Sequence, residues 1–578
     1  MRLHACLALL LTLPGLAHAQ RITNANRQPE RPGTPMTQPT HNLAPPIAPN
    51  QFVRRQGGLL TLDNKPFRFH GNNVYFNQAD IVYGRTAGVE ETLDKMVALG
   101  LTVARFNAHN DHDPARDPAA IQLSPGVYSE PSLVALDRSI VLAKTRQIRL
   151  VLKFTNNWEA YGGIRRYVQW HLGRTPSNSE AGLFYTEPKI KGWYQAYVAM
   201  IINRRNTITG ELYRDEPAIL AWELGNELRN PGRANDLVAW TAEMAAFIKQ
   251  QDPNHLVADG GEGFDDDPTL YPGLSNRYTV AGSEGCSYHR LAQIPELDML
   301  SYHLYPTNWQ MNDAADAALY IRRHEEIARE ANKVAYLGEY GKTGADAARS
   351  TIMQSWLTTS AHQQAAAGVM LWQLINDGKT DAEGYQVHCP ADAITCDTLR
   401  QNSDQIVNAP VVVNAASYKA INLAPNSLAT LFGTNLDTTP LTLIDATTRA
   451  HAITPFYTSP TQLNFFIPEA AAPGPAILRL NTSSAPLNLI PVAPGIFVAT
   501  QDARIVTLWG TGLRAAGNNV SATANGQPAQ ILYSGRQPEY PGLDQVNLQL
   551  PANLTGEITI QFIAANQPAN PIRIVIPQ

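Results

Sequence analysis

Apolar residues are distributed along this chain in two textures, and the change from one to the other divides it. From residue 51 to about residue 405, short apolar runs alternate with longer segments in which apolar residues recur every three or four positions. The runs at 67–75, 102–106, 148–154, 219–222, 256–258, 299–304, 334–337 and 369–374 read as buried strands. The segments at 89–98, 133–144, 193–206, 236–250, 315–331 and 345–366 read as helices. Eight strands alternating with helices predict an α/β domain, a (β/α)8 barrel with long loops. A doubly wound open sheet is the alternative, but no glycine-rich phosphate loop opens any of these helices.

Beyond residue 408 the texture becomes β-branched runs separated by Pro, Gly and Asn, the pattern of a β-sandwich. The region repeats itself. Leu431-Phe432-Gly433 returns as Leu508-Trp509-Gly510 after 77 residues, and Gln462-Leu463-Asn464 returns as Gln545-Val546-Asn547 after 83. These offsets suit one small sandwich each, so two tandem immunoglobulin-like modules are expected, at 409–500 and 501–578. Trp509, the only tryptophan of this region, is read as core packing. Spacer, adhesion and glycan-binding roles remain open for the modules.

The N-terminal residues bear on compartment. Arg2 precedes an apolar run to Leu16, and Ala17-His18-Ala19 places small residues where a signal peptidase reads, so residues 1–19 form an expected secretory signal. The run is shorter than the roughly 20 residues that span a bilayer, and no membrane association is expected. Residues 20–50, rich in Pro, Thr, Asn and Gln, read as a linker. Export permits a disulfide, and Cys389 with Cys396 could close a small loop, leaving Cys286 over.

Charged residues make up only 16% of the chain, against roughly a quarter in average proteins, and the net charge is −5. No basic face is implied, so nucleic acid is not an expected partner. Abundant Asn, Gln, Thr and Pro suit a neutral polar ligand. A monomer is expected.

Two glutamate-bearing segments carry the candidate chemistry: Trp222-Glu223-Leu224-Gly225-Asn226-Glu227 and Leu337-Gly338-Glu339-Tyr340-Gly341. Each follows a strand-like run and so sets a carboxylate near the C-terminal end of a barrel strand, where catalytic side chains gather. Two carboxylates across one pocket are the minimum equipment of a glycosidase. Either alone could be a solvated loop residue or a helix cap. Glu223 lies deeper than Glu227 and reads as a structural partner. Arg105, ending the run 102–106, could pair with Glu339. His303 and Tyr305 share one face of a strand, and Trp372 in the last strand could floor a sugar subsite.

Residues 52 to about 400 resemble a glycoside hydrolase of family 5, in its endo-β-1,4-mannanase branch. The resemblance rests on an ordered set: Asn156-Asn157-Trp158 with Tyr161-Gly162-Gly163, Asn206 to Gly210, Asp215 to Leu224, His303-Leu304-Tyr305-Pro306 with Trp309, Gly338-Glu339-Tyr340-Gly341-Lys342, and Trp372-Gln373-Leu374. It implies Glu227 as acid/base and Glu339 as nucleophile, with Arg105, Asn226, His303, Tyr305 and Trp372 lining the subsite of the cleaved bond. Asn157 and Trp158 join them as substrate-binding candidates, and Phe76 stands where such enzymes commonly have tryptophan after the first strand. Leu228 replaces the usual proline after the acid/base glutamate. The segment Asn107 to Asp113 is unfamiliar and reads as a polar loop, so no metal and no cofactor are expected. The C-terminal region resembles a repeat module at the ends of secreted proteins of soil bacteria, with Val413-Asn414-Ala415-Ala416-Ser417-Tyr418 and Tyr540-Pro541-Gly542-Leu543 among the matching residues.

The reading is a secreted retaining enzyme that cuts β-1,4-mannan, glucomannan or galactomannan internally. The proton for the leaving group is expected on Glu227 in the free enzyme, because an ionised Glu339 nearby disfavours a second negative charge. The alternatives are an endo-β-1,4-glucanase with the same chemistry and a non-catalytic glycan-binding adhesin.

Overall fold

The computed structural model describes residues 47–576, except 64, 364–365, 421, 434–435, 437–439 and 481–483. The expected signal and most of the expected linker lie outside the described residues.

Eight parallel strands close into a barrel: β1 (Phe69–Val74), β2 (Val103–Asn107), β3 (Arg149–Lys153), β4 (Ile219–Glu223), β5 (Leu256–Ala258), β6 (Met299–Leu304), β7 (Val334–Tyr340) and β8 (Gly368–Leu371). Closure is by β8 on β1, with Gly368 opposite Phe69 and Leu371 opposite Asn72. All eight are buried along their whole length, because helices cover the outside and side chains fill the inside. The covering helices are amphipathic. In Ala234–Gln251, for example, Leu237, Trp240, Thr241, Met244, Ala245 and Ile248 are buried at three- and four-residue spacing.

Strand alternation decides which residues look inward. Val103, Val151, Met299, Val334, Tyr336 and Met370 pack together in the interior with Val53 and Leu60 of an N-terminal antiparallel sheet (Arg54–Gln56, Leu59–Leu62, Lys65–Pro66). One and two steps further along the same parity come Arg105, Lys153 and His303. In β7 the alternation is broken. Tyr302 pairs with Leu337 but His303 with Glu339, so Gly338 is an extra residue, a bulge. The bulge turns Glu339 to the same side as His303; regular alternation from Tyr336 would aim it at the helices. Glycine fits there because a Cβ would stand 2.4 Å from Ser301 Oγ.

After helix Ala393–Asn408 two β modules follow, each of two sheets, antiparallel except where Asn422–Leu423 pairs in parallel with Ser484–Leu489 in the first. The first pairs a four-stranded sheet (Val411–Asn414, Leu428–Phe432, Gln462–Phe466, Tyr457–Ser459) with a five-stranded one, around Val412, Leu431, Leu443, Phe465, Leu478 and Leu487. The second is built likewise around Val506, Leu508, Val546, Ile558 and Phe562. The first module meets the barrel domain at Leu59, which packs with Val411, Val413, Ala420 and Phe432. Trp509 is not in the second core. Val506 and Leu508 point inward, so Trp509 between-strand alternation faces the outer side of its sheet, where it is half-buried. Cys389 and Cys396 form a disulfide, and Cys286 is free. Among the described residues no helix is long and apolar enough to cross a membrane.

Candidate active site

The C-terminal ends of β1, β2, β4 and β7 converge on Arg105. Its Nε donates to Glu223 Oε2 at 2.8 Å, and its Nη1 donates to Glu339 Oε1 at 2.5 Å and to Asn73 Oδ1 at 3.1 Å. Its Nη2 donates to Asn226 Oδ1 at 2.7 Å and to Glu223 Oε1. All five N–H groups of the guanidinium are therefore used. Burial pulls its pKa down, but the charges of Glu223 and Glu339 outweigh that and raise it. Tyr336 OH donates the remaining bond to Glu223, at 2.9 Å to Oε2. Glu223 is wholly buried in this pairing.

Glu227 and Glu339 face each other beyond this layer. One oxygen of each, with a ring nitrogen of His303, lies within 4.8 Å of the others. Glu339 Oε2 accepts from Tyr305 OH at 2.7 Å. Glu227 sits past the end of β4 at φ 54°, where its amide donates to Gly260 O at 2.9 Å. Its Oε1 lies 2.7 Å from His303 Nδ1, and its Oε2 accepts from Trp158 Nε1. Burial pushes Glu227 up, but the hydrogen bond and charge of His303, the Trp158 indole and the charge of Arg229 hold it down at about 2. Burial lowers His303, while Glu339 and Glu227 raise it above its ordinary value. The expectation that Glu227 holds the proton weighs only the like charge of Glu339; the structure adds His303 Nδ1 at 2.7 Å, which favours the carboxylate form of Glu227.

Other residues expected in the site are placed as follows. Arg105 and His303 are fully buried and touch the carboxylates, so they shape the site from beneath and do not line its surface. Asn226 is held by Arg105 and donates from Nδ2 to Asn156 Oδ1 at 3.1 Å. Asn157 braces the loop, its Oδ1 accepting from the Arg229 amide at 3.3 Å. Trp158 is 45% exposed and lies under the Arg229 guanidinium, 5.0 Å from the ring centre. Trp372 is partly exposed and stacks on Tyr75 at 5.3 Å and 16°. Phe76 is misplaced by the sequence reading: it is fully buried beneath the helix it starts, with Lys379 Nζ 4.1 Å from its ring centre, and cannot offer a face to a ligand. Tyr75, one residue earlier, takes the position beside Trp372.

The structure adds residues that the sequence reading missed. Asn73 anchors Arg105 and donates to Gly338 O at 3.1 Å, tying β1 to the bulge. Lys153 ends β3 inside the barrel; burial, then Arg105, push it down to about 7 against the pull of Glu223, Glu339 and Glu227. Arg229 is clamped by Glu262 at 2.6 Å and Glu284 at 2.8 Å. Its place two residues after Glu227 was the available signal. Among the described residues, besides Glu227, His303 and Glu339, only Asp265, Asp266 and His289 come close enough together to share an ion. Those three are engaged with one another and with Tyr271, Ser287 and Arg290. In the segment 107–113, His109 and Asp111 are buried 3.9 Å apart, and His112 turns to Asp117.

A closed parallel barrel with two carboxylates facing each other at its C-terminal end defines a glycosidase-type site. Residues 50–356, more than half of the chain, match the model of glycoside hydrolase family 5, β-mannosidase-like. The chain belongs to this family and is a glycoside hydrolase. It is 33% identical over 367 residues to mannan endo-1,4-beta-mannosidase 2 of Oryza sativa subsp. japonica, covering 58% of this chain and 80% of that one. Among solved structures it is similar to the hyperthermostable endo-1,4-beta-D-mannanase of Thermotoga petrophila, with TM-score 0.54, 31% identity, and coverage of 58% of this chain and 99% of that one. It is also similar to the endo-1,4-beta-mannanase of Rhizomucor miehei, with TM-score 0.55, 28% identity, and coverage of 61% and 99%.

Proposed function

We propose that the protein is a secreted, retaining endo-β-1,4-mannanase. The observation that carries the mechanism is the pair Glu227 and Glu339, with facing oxygens within 4.8 Å. Retaining enzymes hold the two carboxyl groups roughly 5–5.5 Å apart and inverting ones roughly 6.5–9.5 Å, and facing oxygens this close support the retaining arrangement.

Glu339, hydrogen-bonded by Arg105 and Tyr305, attacks the anomeric carbon. The glycosidic bond breaks as a proton passes to the leaving oxygen from Glu227. That proton is stored at the 2.7 Å contact of His303 Nδ1 with Glu227. In the second step Glu227 takes a proton from water, whose oxygen attacks the sugar and releases Glu339. Tyr75, Trp372 and Trp158 offer aromatic faces for neighbouring sugar rings, and Asn226 offers an amide to a hydroxyl.

Mannan as substrate is supported by the names of the relatives, several of which are mannan endo-1,4-beta-mannosidases. Export is supported by the expected signal and by the Cys389–Cys396 disulfide, a bond that persists in oxidising compartments. An immunoglobulin-like fold for the β modules is supported by their paired, mainly antiparallel sheets. A reducing-sugar assay on glucomannan, galactomannan, carboxymethyl-cellulose and xylan tests the proposal. Cleavage of the first two to short oligosaccharides is expected, and comparable rates on carboxymethyl-cellulose would overturn it.

A further inference from the structure

The internal repeat places matching positions on the same sheet face in both modules. In the first, Val411, Phe432 and Gln462 form one cross-strand row, and Val413, Thr430, Asn464 and Tyr457 the next. In the second, the rows are Val498, Trp509, Gln545 and Gly535, then Thr500, Thr507, Asn547 and Tyr533. The polar lock between the rows also recurs. Thr430 Oγ1 and Gln462 Nε2 both donate to Asn464 Oδ1, at 3.0 and 2.9 Å; Thr507 Oγ1 and Gln545 Nε2 both donate to Asn547 Oδ1, at 3.2 and 2.9 Å.

The two faces differ in what covers them. In the first module Phe432, Thr430 and Asn464 are buried, and Phe432 packs against Tyr418 and, with Val411 and Val413, against Leu59 of the barrel domain. In the second, Trp509, Thr507 and Asn547 are partly exposed and Tyr533 is 42% exposed. Both aromatic side chains reach along the sheet. Trp509 Nε1 donates to Thr500 Oγ1 at 3.1 Å on the neighbouring strand, and the Tyr533 OH stands 3.0 Å from where a Cβ of Gly535 would lie.

We propose that this face of the second module binds a neutral polysaccharide chain, and specifically the mannan on which the barrel acts; the choice of mannan rests on the reading of the barrel. Three features select that occupant. No charged side chain stands in either row, which matches an uncharged polymer and offers nothing to an acidic or basic partner. The locked amides and hydroxyls are the donors and acceptors that sugar hydroxyls require. Trp509 and Tyr533 supply flat apolar surfaces for the C–H faces of sugar rings, two strands and two residues apart, about 12 Å by sheet geometry. That separation calls for an extended oligosaccharide, not a single sugar.

The test uses the full chain made inactive by Glu339→Ala, run in native gels containing glucomannan, galactomannan or hydroxyethyl-cellulose. Trp509→Ala with Tyr533→Ala, and separately Thr507→Arg, which blocks the face without touching the core, should each weaken retardation by mannans roughly tenfold. In the active background both variants should hydrolyse soluble mannohexaose at the parent rate and insoluble mannan more slowly. Undiminished retardation in both variants would overturn the proposal. Loss confined to the cellulose gel would overturn mannan as the occupant. Concentration-dependent dimerisation that the variants abolish, without any effect of polysaccharide, would replace the glycan by a second copy of the chain. Whether the parent enzyme cleaves mannan at all is read separately, so failure of the barrel reading and failure of the face are distinguishable.

Discussion

His303 and Glu227 share one hydrogen bond, Nδ1 to Oε1 at 2.7 Å, with the imidazole wholly buried. Because Glu339 and Glu227 raise His303 above its ordinary value, the proton on this pair is present below that raised value and lost as pH rises through it. The alkaline limb of kcat/KM should therefore report the pair. His303→Asn is expected to lower kcat about a hundredfold and to move that limb toward acid, since the proton must then sit on a glutamate. An unmoved limb in the pH profile would remove His303 from proton storage.

The two glutamates act at different moments. Glu339→Ala should abolish turnover on every substrate, with azide restoring cleavage to the inverted product. Glu227→Ala should lose at least a hundredfold on mannan yet cut an activated aryl mannoside, whose leaving group needs no proton. Equal losses on the aryl substrate would contradict this division.

Glu223 makes a different prediction, for stability. Its removal strands the buried Arg105 charge, and breaking a buried pair costs roughly 3–5 kcal/mol. Glu223→Ala should lower the urea midpoint of the barrel transition accordingly; a wild-type midpoint would show that Glu339 and Asn226 suffice to hold the arginine.

A chain ending at Asn408 keeps the last helix on the barrel but uncovers Leu59. It should fold and cleave soluble mannan, with the barrel less stable by roughly 1–3 kcal/mol. Insoluble protein would mean that the first module is required for folding.

The barrel was legible because eight strand-like runs alternate with helix-like segments along the chain, and the glutamates because each follows such a run. What escaped did so for identifiable reasons. Helix Ala393–Asn408 buries Thr395, Thr398, Asn402 and Ser403 beside Leu399 and Ile406, so no apolar stripe marks it. The inward turn of Glu339 depends on the Gly338 bulge, which no parity count reveals. Lys153 was absorbed into an apolar run, although alternation from Val151 aims it inward. Trp509 is the reverse case. Its outward position follows from the alternation with Val506 and Leu508, and the size of the side chain suggested a core residue instead.

The full commitment of Arg105 has a consequence for altering this enzyme. With each N–H bound to Glu223, Glu339, Asn73 or Asn226, the ends of four strands are held in one frame before any ligand arrives. No member of that ring is free to be retuned for another sugar without loosening the nucleophile. Substrate preference can therefore drift only where side chains answer to the polymer and not to the arginine. Tyr75 and Trp372 are such places, whereas Trp158 and Arg229 also act on Glu227, and libraries aimed at new glycans belong at the first two.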